Sequence, residues 1–279
     1  MCLSGPVGRG AKNAQEDVRT VQLLLNLNSP QVTGPLTADG ICGPGTIAAI
    51  ELYQHGVVGH ADPAGVVGVN GSTLAALRAG MPPGMLREKF QGVMIHAPSA
   101  TVERFLMPVI ASMHVGGIDT PLRQAHFLAQ VAHESGELRY TEELASGEQY
   151  EGRKDLGNTQ KGDGVRFKGR GLIQLTGRAN YIAFGKFANA DFTVGDAMAR
   201  ISTEPMLAVQ TAVWFWNQHE LNALADTDDL VAITKKINGG TNGLADRRSK
   251  LERAKFFLVP LTTDIERAAT KAAAFAENS

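Results

Sequence analysis

The sequence predicts a mainly α-helical protein in which a small three-helix unit precedes a larger helical domain with at most a small β-hairpin. Apolar residues recur at helical spacing along much of the chain, and no run of period-two alternation is long enough for a large sheet. The pair Pro82-Pro83 disfavours helix and stiffens the chain. We therefore expect a first domain at 1–80, a linker at 81–89 and a second domain at 90–279.

Three short helices account for the first domain. Segment 14–27 carries apolar residues at helical spacing, and Gly43-Pro44 opens the second helix because proline is tolerated in a first helical turn. Ser72 is the expected N-cap of the third helix, which Gly80 ends. Because so small a bundle buries little surface, we do not expect it to carry out catalysis.

Helices also dominate the second domain. Thr120 and Thr203 each stand shortly before a proline and mark the expected starts of two of them. A small hairpin is expected within 140–170, where Gly, Lys and Asp are dense, and the Ala-rich tail 261–279 is helix-prone. Helices are predicted at 87–95, 99–114, 121–135, 204–219, 228–237 and 246–257.

Composition and charge limit the classes of protein to consider. The chain of 279 residues balances 27 Lys and Arg against 28 Asp and Glu, which gives no sign of a nucleic-acid or membrane-surface partner. Its 43% hydrophobic content is typical of a globular protein. The two cysteines, Cys2 and Cys42, are expected to be free thiols. No window reaches the ~18 apolar residues of a membrane span, and we expect no signal peptide.

The residues that suggest chemistry begin at the end of the helix PLRQAHFLAQVAHE, which is apolar on nearly every side and is therefore predicted to be buried. Glu134 ends this helix, just before Gly136. Desolvation and the negative end of the helix dipole should both raise the pKa of Glu134, which suits a general acid. The alternative is a helix-end glutamate paired with an arginine such as Arg139 or Arg170.

The pair His133-Glu134 also matches the start of a zinc-protease motif. That motif, H-E-x-x-H, requires a histidine at the position of Glu137, so it fails. His126 and His133 lie seven residues apart, roughly on one helical face, and no third ligand is apparent. We therefore expect no metal and no other cofactor, and we expect both histidines to be hydrogen-bonded core or cleft residues.

Several glutamates that follow Glu134 in a predicted loop are candidates for a second carboxylate. Inverting cleavage of a glycosidic bond needs a second carboxylate about 6.5–9.5 Å from the acid, where it activates a water molecule. Most of these glutamates must be solvated charges, and their spacing alone does not select one. The candidates are Glu142, Glu143, Glu148 and Glu151.

The Gly-rich segment FKGRGLIQLTGRANY supplies polar groups close to the backbone. Gly169 and Gly171 permit close approach of another segment. Gln174, Thr176 and Asn180 offer donors and acceptors suited to sugar hydroxyls or to holding a water molecule. The segment lacks the third glycine of a dinucleotide-binding loop, so we expect no nucleotide there.

A resemblance to a known family adds to the interpretation of the first domain. Its motifs are similar to those of the three-helix peptidoglycan-binding module that often accompanies cell-wall hydrolases, which implies that the first domain binds the bacterial wall. Tyr53 and Cys42 depart from the usual aromatic residues of that module. The matching residues are Val21, Gln22, Leu24, Leu25, Asp39, Gly40, Gly43, Pro44, Thr46, Ala49, Tyr53, Gln54, Ser72, Thr73 and Leu77.

A second resemblance covers about 90–260 and has more specific motifs. HES at 133–135, GRGLIQLTGRANY at 169–181, INGG at 237–240 and ADR at 245–247 together resemble glycoside hydrolase family 19. The match is to its lysozyme-like branch, which occurs in phage endolysins. The resemblance implies a helical, lysozyme-like catalytic domain.

The same resemblance implies roles for individual residues. Glu134 matches the general acid of the family, and Thr176 matches the residue that helps to hold the nucleophilic water. We choose Glu143 as general base because its position relative to Glu134 fits the lysozyme-like branch, and Glu142 and Glu151 remain alternatives. The residues expected to bind the substrate are Gln174, Asn180, Tyr181, Asn238 and Arg247.

We therefore expect a modular peptidoglycan hydrolase of the endolysin type, which cleaves the β-1,4 bond of the N-acetylmuramic acid–N-acetylglucosamine backbone by inverting acid–base hydrolysis. Its expected partner is bacterial peptidoglycan, and we expect a monomer with no nucleic acid and no membrane insertion. We expect it to accumulate in the host cytoplasm and to reach the wall after release by a separate pore-forming protein. The alternatives are a chitinase acting on β-1,4 N-acetylglucosamine polymers and a non-catalytic wall-binding protein.

Overall fold

Helices dominate the architecture. A computed structural model describes residues 2–28 and 34–260, which form two compact units. The first unit contains the described residues up to 95 together with 252–260, and the second unit contains 96–251. The sheet formed by the described residues has two short strands, and the prediction of a mainly α-helical fold is confirmed.

The first unit is built from short helices and a two-stranded antiparallel sheet. The predicted helix at 14–27 and the helix that begins at Pro44 are confirmed, and Gly80 ends the third helix as predicted. The elements are β1 (Val7–Gly8), α1 (Gln15–Asn28), α2 (Pro44–Tyr53), a π-helical turn (Gln54–Val58), β2 (Val66–Val67), α3 (Ser72–Ala79) and α4 (Arg87–Val93).

Gln22, on α1, holds the loop that leads into α2. It is 2% exposed, and its side-chain amide donates to Asp39 Oδ1 (2.9 Å) and Thr46 Oγ1 (3.1 Å). Its oxygen accepts from the backbone N–H of Gly40 (2.9 Å). Because buried amide groups need hydrogen-bond partners, these bonds fix the loop against α1 and the start of α2.

Gln54, at the start of the π-helical turn, makes the same set of bonds to the next loop. Its amide donates to a β2 carbonyl (2.8 Å) and to Thr73 Oγ1 (3.0 Å), and its oxygen accepts from the N–H of Gly65 (2.9 Å). The two loops also share a pattern, with G-I before T-I-A-A-I at 40–50 and G-V before T-L-A-A-L at 65–77. The first unit therefore repeats a short loop-and-helix arrangement, in which a buried glutamine supports each loop.

The second unit consists of helices joined by short turns and one long irregular segment between α6 and α8. The last residues of α13 belong to the first unit. The helices are α5 (Ser99–Val115), α6 (Pro121–Glu134), α7 (Asp163–Arg166), α8 (Arg178–Ala188), α9 (Ala197–Thr203), α10 (Pro205–Gln218), α11 (Leu221–Asp226), α12 (Leu230–Asn238) and α13 (Leu244–Leu258).

Helix α6 is buried on nearly every side, as its composition predicts. Phe127, Leu128 and Val131 have no exposed surface. Trp216 on α10 packs edge-on against Phe127, with ring centroids 5.5 Å apart. Because protein cores are close-packed, this burial fixes the position of the last residue of the helix, Glu134.

The helices expected to begin near Ser72, Thr120 and Thr203 are all present, but only Thr120 caps its helix through its side chain. The hydroxyl of Thr120 accepts from the N–H of Arg123 (3.2 Å), so this N-cap is confirmed. Ser72 is instead the first residue of α3, and Thr203 is the last residue of α9. The hydroxyl of Thr203 donates to the carbonyl of Ala199 (3.2 Å), one turn earlier on α9, and so does not cap the helix that follows. The N-cap prediction for Ser72 is therefore wrong, whereas the helix predicted at 204–219 is present as α10 and begins at Pro205.

Four helices were not predicted, namely α7, α8, α9 and α11. Segment 178–188 contains Asn, Tyr, Phe and Gly, which are weak helix formers, and tertiary packing overrides that local preference. Within 140–170 the expected hairpin is replaced by an isolated antiparallel bridge that pairs Glu142 with Arg170. The predicted helical tail 261–279 lies outside the described residues.

Both cysteines are free thiols, as predicted. Burial raises the pKa of Cys2 and the pKa of Cys42, and it therefore favours the protonated thiol at both positions. Among the residues that the structure describes, no helix is long and apolar enough to cross a membrane.

A left-handed turn follows α6. Gly136, Glu137 and Leu138 have φ angles of 57°, 58° and 69°, a region that only glycine adopts without strain. Glu137 is 6% exposed, and its carboxylate accepts from the backbone N–H of His96 (2.7 Å) and from Lys250 Nζ (2.9 Å). The Nδ1 atom of His96 lies 2.9 Å from the same carboxylate. These contacts hold the turn that leads from α6 into the following loop.

We expect Glu137→Gln to destabilise the second unit at neutral pH and to flatten the acid side of its stability profile. Burial alone would raise the pKa of Glu137, but the hydrogen bonds from His96 and Lys250 outweigh it and hold the pKa below its usual range. Such a carboxyl stabilises the fold above its unfolded pKa, about 4.3, and loses this contribution as the pH falls through the folded value. The loss at pH 7 should be about 1.5–3 kcal/mol.

Urea unfolding of the wild type and the Glu137→Gln variant between pH 7 and pH 3 measures this effect. Glu148→Gln, a change of the same kind at an exposed position, is the matched control. A difference between wild type and Glu137→Gln that stays constant across the pH range would contradict the assignment.

Candidate active site

One cleft in the second unit collects most of the residues that the sequence singles out. Two adjoining cavities, of about 330 Å³ and about 420 Å³, share Glu134, Gln174 and Thr176, which therefore stand in the middle of the cleft. The larger cavity is also lined by Tyr140, Glu142, Glu143, Leu144, Ala145 and Tyr150. The smaller cavity is also lined by Leu156, Ile173, Leu175, Asn180, Thr211, Trp214, Phe215, His219 and Ile237.

Glu134 is held by an arginine from the last helix. Its Oε1 atom accepts from Arg247 Nη2, and Arg247 Nη1 donates to Gln130 Oε1, one turn earlier on α6. Arg247 is 2% exposed, whereas the side chain of Glu134 is 21% exposed and faces the cleft. The expected pairing of Glu134 with an arginine is present, but the partner is neither Arg139 nor Arg170.

The loop after α12 completes the surroundings of Glu134. Asn238 holds this loop, because its amide donates to the carbonyl of Asn242 (2.8 Å) and its oxygen accepts from a backbone N–H two residues on (2.9 Å). A Cβ atom at Gly243 would lie 2.4 Å from the ring of His133, so only glycine fits there. The ring Nδ1 of His133 lies 2.6 Å from Asp246 Oδ2. Three separated sequence motifs therefore meet around one carboxyl group.

Glu143 lies in the wall of the larger cavity and is held by neutral donors. Its Oε1 atom accepts from Gln149 Nε2 (3.0 Å) and from the hydroxyl of Tyr150 (3.0 Å), and its Oε2 atom accepts from the N–H of Gly169 (3.1 Å). Burial raises the pKa of Tyr150, and the bond to Glu143 raises it further, so the phenol remains a donor. The arrangement orients the carboxyl group of Glu143 through uncharged donors.

The two alternatives to Glu143 as the base, Glu142 and Glu151, are occupied by structural contacts. Glu142 forms ion pairs with Lys168 (3.3 Å) and Arg170 (3.1 Å). Glu151 accepts from two backbone N–H groups at the start of α7 (2.7 and 2.8 Å). A negative side chain is favourable at a helix N-terminus, which explains that position of Glu151. Of the three glutamates, Glu143 is the one that lines the cleft without a cationic partner among the described residues.

The Gly-rich segment lies between the two cavities. Gly171 has φ +87°, and a Cβ atom there would lie 2.0 Å from Thr211 Oγ1, so the predicted close approach is confirmed. Gln174 has a φ of 27°, which is rare for a residue with a side chain and is often found at functional sites. Thr176 Oγ1 donates to the carbonyl of Gln174 (3.0 Å), and Asn180 Nδ2 donates to the carbonyl of Thr176 (2.8 Å).

Tyr181 does not reach the cleft. It has no exposed surface, and its hydroxyl donates to the carbonyl of Lys168 (2.7 Å) and accepts from Arg170 Nη1 (3.0 Å). Burial raises the pKa of Tyr181 to about 12. Neighbouring residues point about 100° apart around a helix, so Tyr181 faces the core when Asn180 faces the cleft. The expected substrate contact at Tyr181 is replaced by a role in holding the Gly-rich segment.

Sequence reasoning missed the aromatic wall of the smaller cavity. Trp214 and Phe215 lie on α10, and the ring of Phe215 stacks on His219 with centroids 4.0 Å apart. The run W-F-W within a predicted helix was the available signal. Aromatic faces carry partial negative charge and can pack against the apolar C–H face of a sugar ring.

The histidines do not form a metal centre with their neighbours. The buried His126 has its Nε2 atom 2.7 Å from Oδ1 of the exposed Asp228, and His133 contacts Asp246 as described above. Over the described ranges 2–28 and 34–260, no group of three or more His, Cys, Asp or Glu side chains has metal-binding geometry.

Comparisons with known sequences agree on one family. The family model for chitinase class I of glycoside hydrolase family 19 matches residues 123–235. A family 19 domain-containing protein of Haemophilus influenzae is 33% identical over 196 residues, which cover 59% of this chain and 92% of that protein. An endochitinase of Arabidopsis thaliana is 39% identical over 117 residues, but this chain spans only 38% of its length.

Comparisons with solved structures support the same fold. Chitinase C from Streptomyces griseus matches with a TM-score of 0.51 and 21% identity, over 66% of this chain and 80% of that chain. A bacterial family 19 chitinase matches with a TM-score of 0.50 and 21% identity, over 63% of this chain and 95% of that chain. Because the relative from Haemophilus influenzae is matched over nearly its whole length, this chain belongs to glycoside hydrolase family 19 and is a glycoside hydrolase.

Proposed function

We propose that this glycoside hydrolase is an endolysin-type enzyme that cleaves the β-1,4 bond between N-acetylmuramic acid and N-acetylglucosamine in bacterial peptidoglycan. The main support is the pair Glu134 and Glu143, which line one cleft but are held by different kinds of partner. Two carboxyl groups in different environments can divide the roles of acid and base.

In the proposed mechanism, Glu134 donates its proton to the oxygen of the leaving sugar. A negative charge then develops on the carboxylate. Arg247 binds Oε1 of that group and stabilises the charge, while the other oxygen has no hydrogen-bond partner among the described residues and is available to the substrate. Burial of α6 and the contact with Gln130 keep this geometry fixed before the substrate binds.

Glu143 acts as the general base in this proposal. It removes a proton from a water molecule, which attacks the anomeric carbon from the face opposite the leaving group and inverts its configuration. Thr176 donates its hydroxyl proton to a backbone carbonyl, so its oxygen lone pairs are free to accept from that water. The donors Gln149 and Tyr150 keep the carboxylate of Glu143 oriented.

The remaining cleft residues would position the glycan. Gln174 and Asn180 offer polar groups beside Thr176, and Trp214 and Phe215 form an apolar wall for a sugar ring. Asn238 and Arg247 act indirectly, because one holds the loop after α12 and the other holds Glu134. These assignments describe a site that needs no cofactor.

The choice of peptidoglycan as substrate is supported by the first unit. Gln22, Gln54 and the loops they hold carry the motifs that resemble a wall-binding module. Binding of such a module to the wall would raise the local concentration of the catalytic site. We propose a monomer that accumulates in the host cytoplasm and reaches the wall through a separate pore-forming protein. The alternative is a chitinase, which the names of the relatives in Arabidopsis thaliana favour.

We expect Glu134→Gln to lower kcat on purified peptidoglycan by roughly 10²–10⁴-fold, because the amide has no proton to donate as an acid. The amide oxygen can still accept from Arg247, but the charge of the pair is lost, so the variant should also melt earlier. Glu134→Asp keeps the charge but shortens the side chain by one methylene group. It should therefore lose activity, with a smaller loss of stability than Glu134→Gln. Release of reducing ends measures the activity of both variants, at a temperature where circular dichroism shows that each is folded. Near-wild-type activity of Glu134→Gln would disprove the acid role.

For the base, we expect Glu143→Gln to lose roughly 10²–10⁴-fold in kcat, because the attacking water then lacks a proton acceptor. Glu148→Gln should keep wild-type activity because the side chain is exposed and lies outside the cleft. Glu142→Gln should have a small effect, and Glu151→Gln should lower the melting temperature more than kcat. The same reducing-end assay compares the four variants; an active Glu143→Gln beside an inactive Glu142→Gln or Glu151→Gln would move the base to that residue.

The products should identify both the bond and the stereochemistry. We expect mass spectrometry of digested peptidoglycan to show fragments with N-acetylmuramic acid at the reducing end. Proton NMR of the first products should show the α-anomer, because a β-linked bond is cleaved with inversion. Hydrolysis of soluble chitin oligomers without release of peptidoglycan fragments would establish the chitinase alternative, and anhydro products would indicate a transglycosylase.

A further inference from the structure

A third cavity opens on the outer side of the aromatic wall. It has a volume of about 560 Å³ and lies between α8 and α10. Its walls include Ile182, Lys186 and Phe187 on α8, and Trp214 and Gln218 on α10. We call this feature the outer groove. Nothing in the proposed acid–base chemistry uses it.

The outer groove exposes apolar side chains in a regular pattern. Ile182 is 44% exposed and Phe187 is 45% exposed, and residues 179, 182, 183 and 186 of α8 follow helical spacing along one face. The opposite face of α8 already supplies the core through Tyr181 and Phe184. Because the core does not need this second apolar stripe, its exposure is typical of a binding surface.

The aromatic rings of the outer groove are held in place from beneath. The ring of Phe184 lies 6.1 Å from that of Phe187 and 6.1 Å from that of Trp214. The exposed ring of Phe187 and the partly buried ring of Trp214 are therefore both anchored on one buried ring. A surface fixed in this way loses little conformational entropy when it binds a ligand.

Trp214 connects the outer groove to the cleft, because it lines both the smaller cavity and the groove. Asn180 in the smaller cavity is followed along α8 by the groove residue Ile182. A group that branches from a glycan beside Trp214 would therefore lie next to the groove. Because the groove adjoins the cleft, we expect its occupant to be part of the substrate in the cleft and not an unrelated protein.

The charge of the outer groove indicates the chemistry of that branch. Lys186 is exposed and forms no hydrogen bond or ion pair with the described residues, so its ammonium group is available to a carboxylate. Gln218 adds an amide on the facing helix. Apolar contacts beside one cation suit a short peptide that carries small apolar side chains and a free carboxylate.

We propose that the outer groove binds the stem peptide of the peptidoglycan strand whose glycan occupies the cleft. This peptide is attached to the lactyl group of N-acetylmuramic acid, is rich in alanine and carries free carboxylates. Its apolar side chains pack on Ile182 and Phe187, and a carboxylate pairs with Lys186. The inference rests on the proposed function, and it adds a peptide subsite to a glycan-cleaving enzyme.

Two variants of the full chain test the inference, Ile182→Ser/Phe187→Ser and Lys186→Glu. Each is assayed on intact peptidoglycan and on the same material after an amidase has removed the stem peptides. We expect KM on intact peptidoglycan to rise roughly 10-fold, the cost of one good contact, with kcat unchanged. On peptide-free glycan both variants should match the wild type. Met107→Ser and Lys161→Glu, exposed positions outside the groove and cleft, are matched controls.

The outcomes separate the alternatives. Equal losses on both substrates would overturn the inference, because the groove would then serve the glycan or the fold. Unchanged kinetics on both substrates would overturn it as well. A dimeric wild type that becomes monomeric in the variants would assign the groove to a second copy of the chain. If the wild type cleaves neither form of peptidoglycan, the proposed function fails and the stem-peptide site fails with it.

Discussion

The ion pair between Glu134 and Arg247 is the interaction on which the cleft depends. Arg247 is 2% exposed, and a buried guanidinium is tolerated only when it is paired and hydrogen-bonded. Glu134 and Gln130, one turn apart on α6, supply the acceptors. This pairing joins α13 to α6 and keeps the loop after α12 against His133. The position of the proposed acid is therefore fixed by the need to satisfy a buried cation.

The contrast between the partners of the two carboxyl groups suits the roles proposed for them. An acid that loses its proton becomes anionic, and in its proposed role Glu134 would do so beside a guanidinium that stabilises the new charge. A base that gains a proton becomes neutral, and Glu143 can do so without breaking an ion pair, because its donors are uncharged. Glu142 would leave Lys168 and Arg170 uncompensated if it were protonated. Electrostatics therefore favours Glu143 over its neighbour as the base.

Periodicity and capping are local properties, so the buried helix α6 and its N-cap Thr120 could be predicted from the sequence. The face on which a motif residue lies is not local. Asn180 and Tyr181 are adjacent in one motif, yet one lies in the cleft and the other in the core. The partners of Glu143 reach it through the fold of an irregular loop, which carries no periodic signal. Pairing with an arginine and acid catalysis are the two hypotheses for Glu134; the structure shows the pairing, with Arg247, and acid catalysis stays a prediction.

Helices α8 and α10 each serve two surfaces. Asn180 and Phe215 face the smaller cavity, whereas Ile182 and Gln218 face the outer groove, and Trp214 borders both. The proposed catalytic carboxyls lie on other segments, at the end of α6 and in the loop after it. In the proposed enzyme, substitutions on the outer groove would therefore change what is bound beside the glycan without moving Glu134 or its partners. Such a separation would let substrate preference change while the proposed acid–base chemistry stays the same.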